Sequence, residues 1–287
     1  GTYYLFAKNN TAGCYSNASV AFTLSIVSVG QATLTAASTP TYTIGDIAIA
    51  LNASTSTPTY SLRWYSAATG GVALTAPVIP STAKAGITNY YVEQYDETLS
   101  FCTSSPRQLA TVTVKPLAPS VTNITYCQNA TPVALTAIPA IGGTLNWYGT
   151  AATGGTLTST ATIPGTGTAS NTTYYVSQTI NGVESALVPY TVTIKPLKPV
   201  VADITYCQND VPVALTATGT ALQWYTVSTS GTATSTAPTP STGTATTTTY
   251  YITQTVNGVE SDRIALIITI NPTPDMPSVI SGNTTTS

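Results

Sequence analysis

Matched motifs recur along this chain at an interval of about eighty residues, and a chain assembled from such copies folds one copy at a time. Tyr126-Cys127-Gln128-Asn129 returns 80 residues later as Tyr206-Cys207-Gln208-Asn209. Pro132-Val133-Ala134-Leu135-Thr136-Ala137 returns as Pro212-Val213-Ala214-Leu215-Thr216-Ala217, and Trp147-Tyr148 as Trp224-Tyr225. Thr173-Tyr174-Tyr175-Val176-Ser177-Gln178 corresponds to Thr249-Tyr250-Tyr251-Ile252-Thr253-Gln254, and Asn181-Gly182-Val183-Glu184-Ser185 to Asn257-Gly258-Val259-Glu260-Ser261. A diverged copy precedes these, with Trp64-Tyr65, Thr69-Gly70-Gly71 and Asn89-Tyr90-Tyr91-Val92. The first 27 residues match only the last third of a repeat, through Thr2-Tyr3-Tyr4-Leu5, Gly13-Cys14-Tyr15-Ser16 and a strand reaching Ile26. Residues 272–287 match only a beginning.

Proline-rich joints follow the alternating strands: Lys115-Pro116-Leu117-Ala118-Pro119, Lys195-Pro196-Leu197-Lys198-Pro199 and Asn271-Pro272-Thr273-Pro274. Proline fixes φ and restrains its predecessor, so these linkers are short and stiff. The joint at Ser28-Val29-Gly30 has no proline and is expected to bend more. Five segments result: the end of one repeat at 1–27, whole repeats at 28–115 (diverged), 116–195 and 196–271, and the start of another at 272–287. The chain opens in mid-strand without a signal-peptide pattern. It is therefore expected to be a window on a longer protein whose export signal lies elsewhere.

Composition agrees with an all-β reading. Only 6% of residues are charged against about 25% in ordinary soluble proteins, yet 43% are hydrophobic, so a core can be buried. Threonine supplies about a fifth of the chain, and with Val, Ile and Tyr it favours pleated, half-buried strands. A net charge of −2 offers no basic patch for nucleic acid, and no apolar run reaches the ~18–20 residues that span a bilayer. Period-2 alternation places Val133, Leu135 and Ala137 on one face of a second strand. It turns Leu145, Trp147, Tyr174 and Val176 inward, and Asn146, Tyr148, Tyr175 and Ser177 outward. Tyr190, Val192 and Ile194 fill the last strand, and Asn181-Gly182 is a hairpin turn signal. About seven short strands per copy, with a tryptophan on the third, predict immunoglobulin-like β-sandwich repeats in a rod-like array. Tyr174 is expected to act as a tyrosine corner.

The order Y-C-Q, W-Y, T-G-G, T-Y-Y-V-S-Q-T, N-G-x-E-S, V-T-V/I and a proline linker resembles a family of Ig-like repeats. That family occurs in large secreted or surface-anchored proteins of the Bacteroidota, including gliding-motility and adhesin proteins exported by the type IX route. The resemblance covers nearly the whole chain. It implies an extracellular, surface-attached location and a stalk, spacer or cell-adhesion role. In such repeats one cysteine often stands in the Y-C-Q turn and another in the hairpin. Here Cys127 and Cys207 face Val183 and Val259 at the hairpin position. Cys102 holds the hairpin position of its repeat opposite Thr43, and a partner for Cys14 would lie before residue 1. Two readings stay open: four unpaired thiols, or a Cys102–Cys127 bridge across a joint.

The chain has no histidine, which removes Ser-His-Asp and Cys-His nucleophile systems and the commonest metal ligand. Its carboxylates are scattered: Asp203 and Asp210 at one turn, Glu184 and Glu260 at hairpins, Asp96 and Glu97 at a turn where a cation or solvent are the alternatives. No enzyme, cofactor or metal site is expected. The outward tyrosines are the distinctive surface residues. Tyr148 with Tyr175, Tyr225 with Tyr251, and Tyr65 with Tyr91 are expected as neighbouring rings facing solvent. They serve either as cross-strand packing or as flat platforms for a sugar ring or a second copy of the chain. Trp64, Trp147, Trp224, Tyr90, Tyr174 and Tyr250 are the expected core. Expected partners are neighbouring repeats of the same chain, surface polysaccharide or another copy, with no nucleic acid and no membrane insertion.

Overall fold

A computed structural model describes residues 2–23, 28–98, 102–104 and 106–276. The expected strand through Ile26 ends on residues 24–27, outside the described residues. Among the described residues the chain is all-β apart from one 3-10 turn at Ala36–Ser38. Two compact units emerge. The first comprises Gly1–Leu117 with Gly142–Thr144 and Gln178–Ala186, and the second Ala118–Ile141, Leu145–Ser177 and Leu187–Ser287.

In the first unit, β1 (Thr2–Tyr3) pairs antiparallel with β2 (Phe22–Thr23), where the Tyr3 and Phe22 rings stack at 5.9 Å. A repeat follows with β3 (Thr33–Leu34), β4 (Thr41–Thr43), β5 (Ala53–Ser54), β6 (Tyr60–Tyr65), β7 (Gly86–Asp96) and β8 (Gln108–Lys115). Its main sheet runs β4-β8-β7-β6, and β3 pairs with β5. The second unit holds β9 (Ile124–Cys127), β10 (Thr144–Trp147), β11 (Ser170–Ile180), β12 (Val183–Glu184) and β13 (Val188–Lys195), in the order β10-β11-β13-β9, apart from the portions grouped with the first unit. It also holds β14 (Ile204–Cys207), β15 (Gln223–Tyr225), β16 (Thr247–Thr253), β17 (Thr255–Val256), β18 (Val259–Glu260) and β19 (Ile264–Asn271), in the order β14-β19-β16-β15 with a β17-β18 hairpin.

One topology is thus written three times. The first strand of each main sheet lies parallel to the last: β4 on β8, β9 on β13, β14 on β19. Alternation explains the cores. On β8 it buries Ala110, Val112 and Val114, on β13 Tyr190, Val192 and Ile194, and on β19 Leu266, Ile268 and Ile270. Each row packs on one tryptophan (Trp64, Trp147 or Trp224), 6%, 3% and 2% exposed, with Tyr90, Tyr174 and Tyr250 half-buried beside it. The fold class read from the sequence, tandem immunoglobulin-like sandwiches, is the fold observed.

Several local expectations are corrected. The middle repeat forms five named strands rather than seven among the described residues. The Pro132–Ala137 segment is not a regular strand: Leu135 is buried and its amide bonds the Thr162 carbonyl at 2.9 Å, but Val133 is 60% exposed. Asn146 and Ser177 are buried and hydrogen-bonded to each other at 3.3 Å, not turned to solvent. Alternation distinguishes two faces of a strand but does not say that one is wet. The tyrosine tied to backbone is Tyr126, whose hydroxyl accepts from the Val133 amide at 3.2 Å, rather than Tyr174. Tyr42 and Tyr206 do the same for Ile49 and Val213, at 3.1 and 3.5 Å.

Trp147→Ala removes the largest side chain of its cluster and is expected to cost roughly 3–5 kcal/mol in chemical denaturation. A loss below about 1 kcal/mol would place Trp147 outside the core.

Candidate functional site

The residues expected as an open aromatic ladder are brought together in pairs, but they are not open. Tyr65 stands opposite Tyr91 across β6 and β7, Tyr225 opposite Tyr251 across β15 and β16, and the Tyr148 amide bonds the Tyr175 carbonyl at 3.0 Å. Tyr65 and Tyr225 are only 6% and 8% exposed, while Tyr91, Tyr148, Tyr175 and Tyr251 are half-buried. The expectation that these rings face solvent therefore fails at Tyr65 and Tyr225.

Arginines cover them. The Arg107 guanidinium lies 3.2 Å from the centre of the Tyr65 ring, and Arg263 lies 3.5 Å from that of Tyr225. Each arginine also grips a loop: Arg107 donates to the Ala67 and Gly70 carbonyls at 2.9 and 2.7 Å, and Arg263 to those of Val227 and Ser230 at 2.6 and 2.7 Å. Beneath the lid, the Tyr65 hydroxyl donates to Glu93 at 2.7 Å and the Tyr225 hydroxyl to Glu260 at 2.6 Å. The two carboxylates come from different places, Glu93 from β7 and Glu260 from the β17–β18 hairpin. Arg107 closes its triad with a 2.8 Å ion pair to Glu93, both side chains largely buried. Burial, then the hydrogen bond to Glu93, pushes the Tyr65 hydroxyl above its ordinary pKa. Hydrogen bonds from Thr253 and Tyr225 hold the Glu260 carboxyl below its ordinary range, opposing its partial burial, and Arg263 and Lys195 add to them.

Leu187 stands eight residues before Lys195, as Arg107 does before Lys115 and Arg263 before Asn271. The middle repeat thus carries no guanidinium at the lid position. Aligning the copies on those strand ends was the sequence signal that would have exposed the lids. Tyr148 instead packs close to Gly155, where an added Cβ would sit 3.4 Å from the ring and 3.2 Å from the Tyr148 carbonyl.

A second constellation ties each repeat to its linker. Gln94, Gln178 and Gln254 hold the same place after the Tyr-Tyr pair, and their side-chain amides donate to the carbonyls of Gly30, Leu117 and Leu197 at 2.6, 2.7 and 2.7 Å. Gln94 and Gln178 are fully buried, which a polar amide tolerates only when hydrogen-bonded. The hairpins reach further. Asn181 and Asn257 sit at φ 51° and 49°, each followed by a positive-φ glycine as a tight two-residue turn demands. Within the first unit Asn181 Nδ2 donates to the Ala85 carbonyl at 2.9 Å, and within the second Asn257 Nδ2 donates to that of Ala169 at 3.0 Å. There Lys195 also pairs with Asp262 at 2.6 Å, and that hydrogen bond raises the lysine pKa.

All four thiols, of Cys14, Cys102, Cys127 and Cys207, are free. Among the described residues no group of three His, Cys, Asp or Glu side chains gathers to hold a metal. Asp96 accepts from the Thr98 amide and hydroxyl, and Glu97 from Ser61. No helix among the described residues is long and apolar enough to cross a membrane.

These features define a tandem array of immunoglobulin-like domains, a class that is generally non-catalytic and fits a structural or adhesive spacer. The chain belongs to the family described as Ig-like domain CHU_C associated, whose model matches residues 31–116, 116–196 and 196–272. No curated protein matches it. Among solved structures it is similar to the Sidekick-1 immunoglobulin domains 1-5, at 14% identity and TM-score 0.29, covering 95% of this chain and 67% of that one. It is also similar to the first four Ig domains of Dscam1 isoform 4.44, at 10% identity and TM-score 0.24, covering 93% and 82%. A third is the Bacteroides ovatus glucan-utilization protein SGBP-B, solved with a mixed-linkage heptasaccharide, at 13% identity and TM-score 0.21, covering 82% and 66%. The chain thus spans about two-thirds of the Sidekick-1 and SGBP-B chains.

Arg263→Ala uncovers Tyr225 and releases two loop carbonyls. It is expected to cost about 1–3 kcal/mol in chemical denaturation, from the lost cation–π contact and charge-assisted hydrogen bonds. A change under about 0.3 kcal/mol would make the lid decorative. Because the Glu260 pKa is lowered on folding, its stabilisation is present above the ordinary carboxylate value of 4.5 and is lost as pH falls through the depressed folded value. Glu260→Gln is expected to flatten that acid-side loss in a pH series of unfolding midpoints. An unchanged slope would show that the hydroxyl contacts do not favour the charged form.

Proposed function

We propose that the chain is a non-catalytic stalk or spacer within a large extracellular surface protein of adhesin type. Its working parts on this reading are the repeats at 28–115, 116–195 and 196–271, with partial repeats at 1–27 and 272–287. The observation that carries the proposal is structural redundancy: three complete cores of one design, each tied to its linker by a glutamine and to the repeat before it by a hairpin asparagine where such a joint is described. A segment whose task is reach needs repeated cores and firm joints, and the scarcity of charge suits a surface that holds no substrate. Secretion by the type IX route and a part in gliding motility belong to this proposal through the family resemblance alone.

Single-molecule pulling on the whole chain tests it. Each repeat of about 80 residues should release roughly 270 Å of contour less its folded length, at about 3.3–3.6 Å per residue, in three separate events. One cooperative rupture of the entire chain would sink the spacer reading.

A second reading, polysaccharide binding, is favoured at one place. Leucine stands at 187 where arginine stands in the other two repeats, and Tyr148 and Tyr175 are both half-buried. If the chain binds glycans, Tyr148→Ser should abolish retention on a glycan array while Tyr225→Ser leaves it intact. Equal retention by the Tyr148 variant and the parent would reduce these tyrosines to sheet packing.

A further inference from the structure

The joints described above share one design, and the third repeat presents the same parts uncovered. At the first joint the Asn181–Gly182 hairpin donates to the Ala85 carbonyl, β12 packs against β8, and Ala85 and Pro116 are buried. At the second the Asn257–Gly258 hairpin donates to the Ala169 carbonyl, β18 packs against β13, and Ala169 and Pro196 are buried. Ala85, Ala169 and Ala245 each stand five residues before the first tyrosine of their pair, Tyr90, Tyr174 and Tyr250. Ala245, Asn271 and Pro272 are all exposed. The alanine and the proline that are buried at both joints are exposed here.

We propose that the end of the third repeat around Ala245, Asn271 and Pro272 is a docking surface for the Asn-Gly hairpin of a further repeat of this same type, joined directly after Asn271. The Ala245 carbonyl accepts from the hairpin asparagine, and the hairpin's second strand lies along β19. The occupant follows from the two occupied joints, whose hairpin and receiving edge are the same pair of structures twice. The proposal rests on reading the segment as docked repeats, and the experiment separates the two.

The probe is a full chain with residues 196–271 inserted a second time after Asn271, and with Cys14, Cys102, Cys127 and Cys207, including the inserted copy, changed to Ser. A Cβ built on Gly86 lies 4.0 Å from that of Asn181, inside the roughly 3.5–4.5 Å range of disulfides. Ser170 and Thr246 hold the Gly86 position in the next two repeats. Ser170→Cys with Asn257→Cys in the unextended chain is the control, expected to close under mild oxidation. Thr246→Cys with Asn257→Cys in the inserted copy is expected to close to the same extent. Control closure with the inserted pair still reduced overturns the docking proposal alone. Failure of both pairs overturns the joint geometry and the docked-repeat reading with it. An inserted copy that does not fold, judged by a buried fourth tryptophan in fluorescence before any cysteine is added, also overturns the proposal, because its own core is complete.

Discussion

Burial of one tryptophan against an alternating apolar row holds up each repeat, and other features of the repeat follow from how that row is placed. Trp64, Trp147 and Trp224 lie on the sheet strand next to β7, β11 and β16, and the rows they meet come from the last strand of the same repeat. Because the last strand also pairs in parallel with the first, the chain enters each core at one end of the sheet and leaves it at the other. The linker that leads into each repeat is pinned by one side chain. Gln94, Gln178 and Gln254 do this from the end of the central strand, where their side-chain amides reach the linker carbonyls without an ionised group being buried.

Scarcity of charge gives the few charged residues disproportionate structural roles. Arg107 and Arg263 each cover an aromatic ring and fasten a loop, tasks that a planar guanidinium with several donors performs and a lysine does not. Glu93 and Glu260 arrive from different strands to accept a tyrosine hydroxyl under the same kind of lid. The arrangement is set by the need to satisfy a buried phenol, not by one inherited position. In the middle repeat leucine replaces the arginine, so the three sheet faces are not chemically equivalent although their cores are.

Much of the fold was legible because it rests on periodicity. The 80-residue interval, the Asn-Gly turns and the rows Val112/Val114, Val192/Ile194 and Ile268/Ile270 are statements about sequence spacing, and backbone geometry converts spacing into faces. The outward face was misread for a definite reason. Alternation places Tyr65, Tyr225, Asn146 and Ser177 opposite the core, yet all four are buried. That Arg107 and Arg263, about forty residues away in sequence, cover Tyr65 and Tyr225 depends on contacts that no local pattern encodes.

By itself the sequence determined that this chain is all-β, repeated, poor in charge and without histidine, and that each copy turns its tryptophan inward. Those properties follow from residue type and period alone. Only the tertiary structure decided that Tyr65 and Tyr225 are covered, that Tyr126 rather than Tyr174 ties the backbone, and that hairpin asparagines reach the Ala85 and Ala169 carbonyls. Each of these joins groups brought together by strand pairing and loop closure over distances of seven to almost a hundred residues. Hydrogen bonds and ring contacts of that kind exist only after the sheets have formed.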